Sequence, residues 1–203
     1  AFPQAPNSSK KTNRAGEKRL KRDNMLQNYN HSRWFLKASM PKRFNFALNF
    51  YMQAVLLQVH SIFRWVILIL LLLSIIRSFT GWQKNRELRE GDAKLWLFTM
   101  ISAHITLLIG LYLLFFGRYG VLSAGLPEGI HLMKDKFYRF FWVEHPVGMV
   151  VATALITVAR ATVKKQIKDP LKYKKAFWLF LLALIIILAV IPWPGRDIVG
   201  RSL

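Results

Sequence analysis

Four long apolar blocks dominate the second three-quarters of the chain, and short stretches rich in Lys and Arg separate them. The first runs from about Ala54 to Phe79 and contains the unbroken run from Val66 to Leu73. The second covers about Leu95 to Phe116, the third Phe140 to Val163, and the fourth Ala176 to Trp193. Each is long enough to cross a hydrocarbon core about 30 Å thick, which takes roughly 17–25 helical residues. The pattern predicts an all-α protein, a transmembrane four-helix bundle over residues 52–203, with both ends of the bundle on one side.

Punctuation agrees with those blocks. Trp65, Trp82, Trp96, Trp142, Trp178 and Trp193 fall mostly near the predicted helix ends, where amphipathic rings prefer the headgroup level. Pro192, Pro194 and Gly195 are expected to stop the fourth helix. The connection from Arg118 to Arg139 is long for a helical hairpin and holds Gly120, Gly125, Pro127 and Gly129 before the mildly amphipathic Ile130-His131-Leu132-Met133. It reads as a solvated connection with an interfacial turn, or as a cover over one mouth of the bundle.

Residues 1–51 differ in kind. They carry eleven Lys or Arg against Glu17 and Asp23, with no sustained apolar period, and read as a disordered basic leader. Met52 stands directly before the first apolar block, so the leader is expected to be extra to the bundle: a presequence, a tag or translated upstream sequence. Its Arg- and Ser-rich, acid-poor make-up also resembles an organellar transit peptide.

Composition sharpens the membrane reading. Of 203 residues 53% are hydrophobic, yet the formal charge is +20, so apolar and basic residues must be segregated. Such charge points first to anionic lipid headgroups and topology, and gives no case for nucleic acid as a partner. Arg77, Lys84, Arg86, Arg89 and Lys94 follow the first block, and Arg160, Lys164, Lys165, Lys168, Lys172, Lys174 and Lys175 link the third to the fourth. That side is expected in the cytoplasm with both termini outside if Met52 is the start, whereas the leader's charges argue the opposite orientation. Cysteine is absent, which excludes disulfides, thiolate metal sites and covalently attached haem.

The candidate chemistry lies in ionisable residues inside the blocks, because each costs a few kcal/mol to bury in lipid. These are His60, Arg64, His104, Glu144 and His145. At about 1.5 Å per residue, His60 and His145 sit at nearly the same depth, about 10 Å from one face, and His104 about 20 Å down. Two imidazoles at one depth on different helices are what a six-coordinate haem needs. Gly148 and Ala152 follow on the face of His145; they either leave room for a flat ring or serve as ordinary helix-packing residues. Arg64, one turn beyond His60, is expected to reach Glu144 or a haem propionate. His104 lacks a partner at its depth and is read as bonded to a neighbouring helix or as a proton-relay element. His131, Met133 and Met149 are weaker alternates for a sixth ligand. No phosphate loop, H-E-x-x-H pair or nucleophile system is present, which argues against a hydrolase. Adjacent helical residues point about 100° apart, so Glu144 and His145 do not readily share one ion.

The strings Leu57-Gln-Val-His60-Ser-Ile-Phe-Arg64-Trp65, Ala103-His104, Glu144-His145-Pro146 with Met149, and Ile191-Pro-Trp-Pro-Gly195 resemble a group of small bacterial four-helix membrane proteins described as cytochrome-b-like. The resemblance covers about Met52 to Arg196. It implies haem b, an electron-transfer role in the bacterial inner membrane, and His60 and His145 as axial ligands. Such a protein is an electron carrier or subunit working with a redox partner or larger membrane complex, not a complete enzyme. The other reading is a haem-free membrane subunit or small transporter built on the Arg64, Glu144 and histidine network.

Overall fold

The computed structural model describes residues 17–27 and 42–193. All regular structure among them is helical, and four helices are long and apolar enough to cross a membrane: Tyr51–Gln83, Glu90–Phe116, Lys136–Lys164 and Asp169–Val190. The protein is an all-α, multi-pass membrane protein. His31 and the tail from Pro194 onward lie outside the described residues.

The chain divides into two units, Ala1–Asn49 and Phe50–Leu203. Residues 17–27 of the first unit form an exposed helix, with Glu17 and Lys21 paired across one turn at 3.9 Å. Another helix begins at Lys42 and continues without a break to Gln83. Residues 17–27 and 42–51, within the segment expected to be a basic leader, are helical.

All four spans begin ahead of their apolar blocks, because polar residues such as Glu90, Gly91 and Asp92 continue the helices beyond the hydrocarbon-like runs. The fourth stops earlier than expected, at Val190. Pro192 forces Ile191 into an extended conformation (φ −70°, ψ 133°), so the helix cannot run on to Trp193.

Lipid tails are as apolar as leucine, so these helices associate through close packing and hydrogen bonds. Small residues line the contacts: Ala152 and Ala159 of the third span and Ala176 and Ala183 of the fourth are all buried. Gly148, one turn before Ala152, lies so close to Val190 that a Cβ there would stand 2.7 Å from its Cγ1. In the middle of the bundle Ser74 and Thr99 share a 2.9 Å hydroxyl hydrogen bond between the first and second spans. Leu71, Ile156, Phe180 and Trp96 complete the buried core. Trp96 is 0% exposed, stacked edge-on against Tyr173 and Phe180, which corrects its expected place at the headgroup level.

The connection after the second span folds back on itself. Gly125 (φ 68°) and Gly129 (φ 78°) take left-handed turns that side chains disfavour. Trp142 donates its indole N–H to the Tyr119 carbonyl (2.8 Å), and Arg139 donates to the Met133 carbonyl (3.0 Å). Its beginning and end are thereby tied to the start of the third span, while His131 and Met133 stay exposed.

Candidate functional site

The third span begins with Asp135 as its N-cap, whose carboxylate accepts from the Tyr138 N–H (3.0 Å). A π-helical turn over Phe140–Glu144 follows, in which the His145 N–H reaches back five residues to the Phe140 carbonyl. Pro146 accounts for it: lacking an N–H, it cannot supply the regular bond to the Trp142 carbonyl, and the wider turn absorbs the missing rung. Such turns recur at functional sites, and this one leads directly into His145.

The His145 ring is held from the opposite helix, its Nδ1 donating to the Val190 carbonyl at 2.7 Å. That carbonyl is available for a reason visible in the sequence. Its regular helical donor would be residue 194 and that of Leu188 would be residue 192, and both are proline. His145 serves Val190, and the Trp193 indole N–H serves Leu188 at 3.0 Å. Because a carbonyl can only accept, Nδ1 of the neutral ring carries the proton and Nε2 carries the free lone pair.

His60 meets His145 with ring centres 6.4 Å apart and planes at 71°. Its imidazole lies against Gly110 of the second span, where a Cβ would come within 3.1 Å of Cε1, so glycine provides the space it occupies. The ring sits beside the Thr106 backbone, yet its Nδ1 is buried without a hydrogen-bond partner. The Arg64 Nε is likewise buried and unpartnered; the guanidinium lies 5.5 Å from the Trp65 ring centre, near enough for its charge to act on both imidazoles. Phe140 packs 6.1 Å from His145 as a neighbouring wall.

The ring spacing is compatible with a shared metal atom. With metal–imidazole bonds of about 2 Å, and ring centres about 1 Å behind the ligating nitrogens, two imidazoles on one metal atom have centres about 6 Å apart. Among the described residues no group of three His, Asp or Glu side chains could hold an ion. Two imidazoles with no third protein ligand fit a metal that brings its remaining ligands with it, as haem iron does. A ligating histidine whose other nitrogen donates to a backbone carbonyl is the usual supporting arrangement, and His145 has it.

Other expected members are elsewhere. Glu144 does not meet Arg64: it is exposed and paired with Arg139 at 2.8 Å, five residues earlier on the same span. The space before Gly148 is filled by Val190, so this glycine serves helix packing and not a flat ring. His104 is exposed on the outside of the second span and bonds the Met100 carbonyl of its own helix (2.8 Å), not a neighbouring helix. Met149 packs against the core.

A second polar cluster, at the opposite end of the bundle, escaped the sequence reading. Asp92, only 3% exposed, accepts a 2.6 Å hydrogen bond from the Tyr173 hydroxyl and lies 3.8 Å from Arg77. The Arg89 N–H donates to the Tyr173 hydroxyl (3.3 Å), and the Leu88 N–H to Asp169 (2.8 Å). The signal was an acid at the mouth of a basic loop, facing a tyrosine one turn into the fourth span.

Comparison with known protein families, curated proteins and solved structures finds no match.

Proposed function

We propose that this chain is an integral membrane b-type haem protein of the bacterial inner membrane, carrying single electrons in a respiratory or redox chain, with haem iron held between His60 and His145. The observation that carries the reading is the pair itself: two imidazoles from different spans at metal-bridging distance, one with its tautomer set by the Val190 carbonyl. Haem b would supply a one-electron couple. His145 presents Nε2 in a fixed direction, Gly110 gives His60 its place, and Arg64 offers a buried cation to anionic groups at that level. The resemblance to cytochrome-b-like proteins agrees with this assignment. The haem-free network of Arg64, Glu144 and the histidines is weaker, because Arg139 engages its carboxylate.

The test is a reduced-minus-oxidised spectrum of the full chain purified from cells supplied with haem. Soret and α-band changes of a six-coordinate haem are expected, and their absence overturns the proposal. Retention of that spectrum in His60→Ala would overturn the ligand assignment.

A further inference from the structure

At the end of the bundle away from the histidines, the third and fourth spans part around a groove of about 460 Å³, lined by Val158 and Thr162 from one side, Lys165 after the turn, and Leu171, Lys174, Lys175, Trp178 and Leu179 from the other. Its chemistry is divided. Its lining surface is mostly apolar, three of its lining residues are lysines and none is an acid; the Lys174 ammonium lies over the Trp82 ring at 5.3 Å, beside the groove. Across residues 160–175 seven Lys or Arg face one acid, Asp169, which is already engaged by the Leu88 N–H and by Lys172 at 2.9 Å.

Beyond the lysines the groove continues as lipid-facing hydrocarbon. On the fourth span Trp178, Leu182 and Ile185 are exposed along one stripe, and on the third Val147, Val151 and Val158 form another. Trp178, 55% exposed, stands one turn inside Lys174 and Lys175, where an indole suits the boundary between headgroup and chain. Cations above an aromatic boundary above aliphatic tracks match one ligand class, a molecule with a phosphate at one end and acyl chains at the other.

We infer that this groove is a specific site for an anionic glycerophospholipid, with its phosphate among Lys165, Lys174 and Lys175 and its acyl chains along Trp178, Leu179 and Val158. Mobile surface charge would attract anionic lipid without distinguishing one part of the basic face from another. The groove localises that attraction.

The full chain, reconstituted in vesicles of three parts phosphatidylcholine to one part phosphatidylglycerol, tests this by tryptophan quenching with either lipid brominated on its chains. Brominated phosphatidylglycerol should quench several-fold more efficiently per mole, and Trp178→Phe should remove most of that difference. The triple variant Lys165→Gln, Lys174→Gln, Lys175→Gln should lose that several-fold preference. A control losing the same charge from the same face, Lys84→Gln, Lys164→Gln, Lys168→Gln, should keep most of it. Equal quenching by both lipids, or equal loss in both triple variants, would overturn the inference. So would displacement of the lipid by inorganic phosphate beyond the effect of potassium chloride at equal ionic strength, which would mark a site for the free anion.

Discussion

The two ends of this bundle bury polar side chains in opposite ways. At the basic end the buried Asp92 accepts from the Tyr173 hydroxyl beside the exposed Arg77, that hydroxyl accepts from the Arg89 backbone N–H, and Asp169 draws in the loop backbone, so the two carboxylates are met by donors of the protein. At the other end His60 and Arg64 keep buried nitrogens unpartnered while His145 is held in a fixed orientation. Buried polar groups left unsatisfied are costly, so their persistence points to a ligand, whereas a closed network needs none. The Ser78 hydroxyl, the Trp96 indole N–H and the Nε of Arg86 and Arg160 are also unpartnered toward the basic end, although Arg86 still donates through Nη2 to Thr80 (2.9 Å). Neither burial nor an unmet valence marks a site by itself; what sets the histidine end apart is that its unpartnered nitrogens lie beside two imidazoles brought together from different spans.

The comparison breaks most visibly at His145. His145→Ala should abolish the six-coordinate spectrum, while Tyr173→Phe should leave it unchanged; a basic-end variant that folds but loses the spectrum would erase the distinction. Tyr173→Phe should instead lower stability by about 1.5–3 kcal/mol, because it strips a hydrogen bond from a buried carboxylate, and unfolding in mixed detergent would measure it. Gly81→Ala should cost about 1–3 kcal/mol by overpacking, since a Cβ there would stand 2.6 Å from the fully buried Tyr173 ring. The smallest effect belongs to Glu144→Gln. Its partner Arg139 is a third exposed and Glu144 itself is more so, so the change should cost under about 1 kcal/mol and leave the spectrum intact. A large spectral change in that variant would return Glu144 to the histidine site.

The four spans were legible because lipid imposes a length and a composition that hydropathy reads directly. The matched depth of His60 and His145 was legible too, since helical rise converts sequence distance into height. Azimuth was not. Arg64 and Glu144 were expected to pair from depth alone, and the π turn before Pro146 shifts the angular register in a way no regular helix predicts. Gly148 illustrates the same limit: a small residue on the face of His145 serves a ligand or a neighbouring helix equally well until Val190 is seen against it. Asp92 was overlooked because it lies at a span's mouth, where charges are common, and its burial depends on Tyr173, eighty-one positions away.

The Val190 carbonyl gives the fourth helix a part that its plain Leu, Ile and Ala composition conceals. Any donor that restored the backbone ladder there would compete with the imidazole for the same lone pairs. The orientation of His145 is thus inherited from the unfinished end of another helix. A displacement of that end would reach the ring directly, through one hydrogen bond to the backbone.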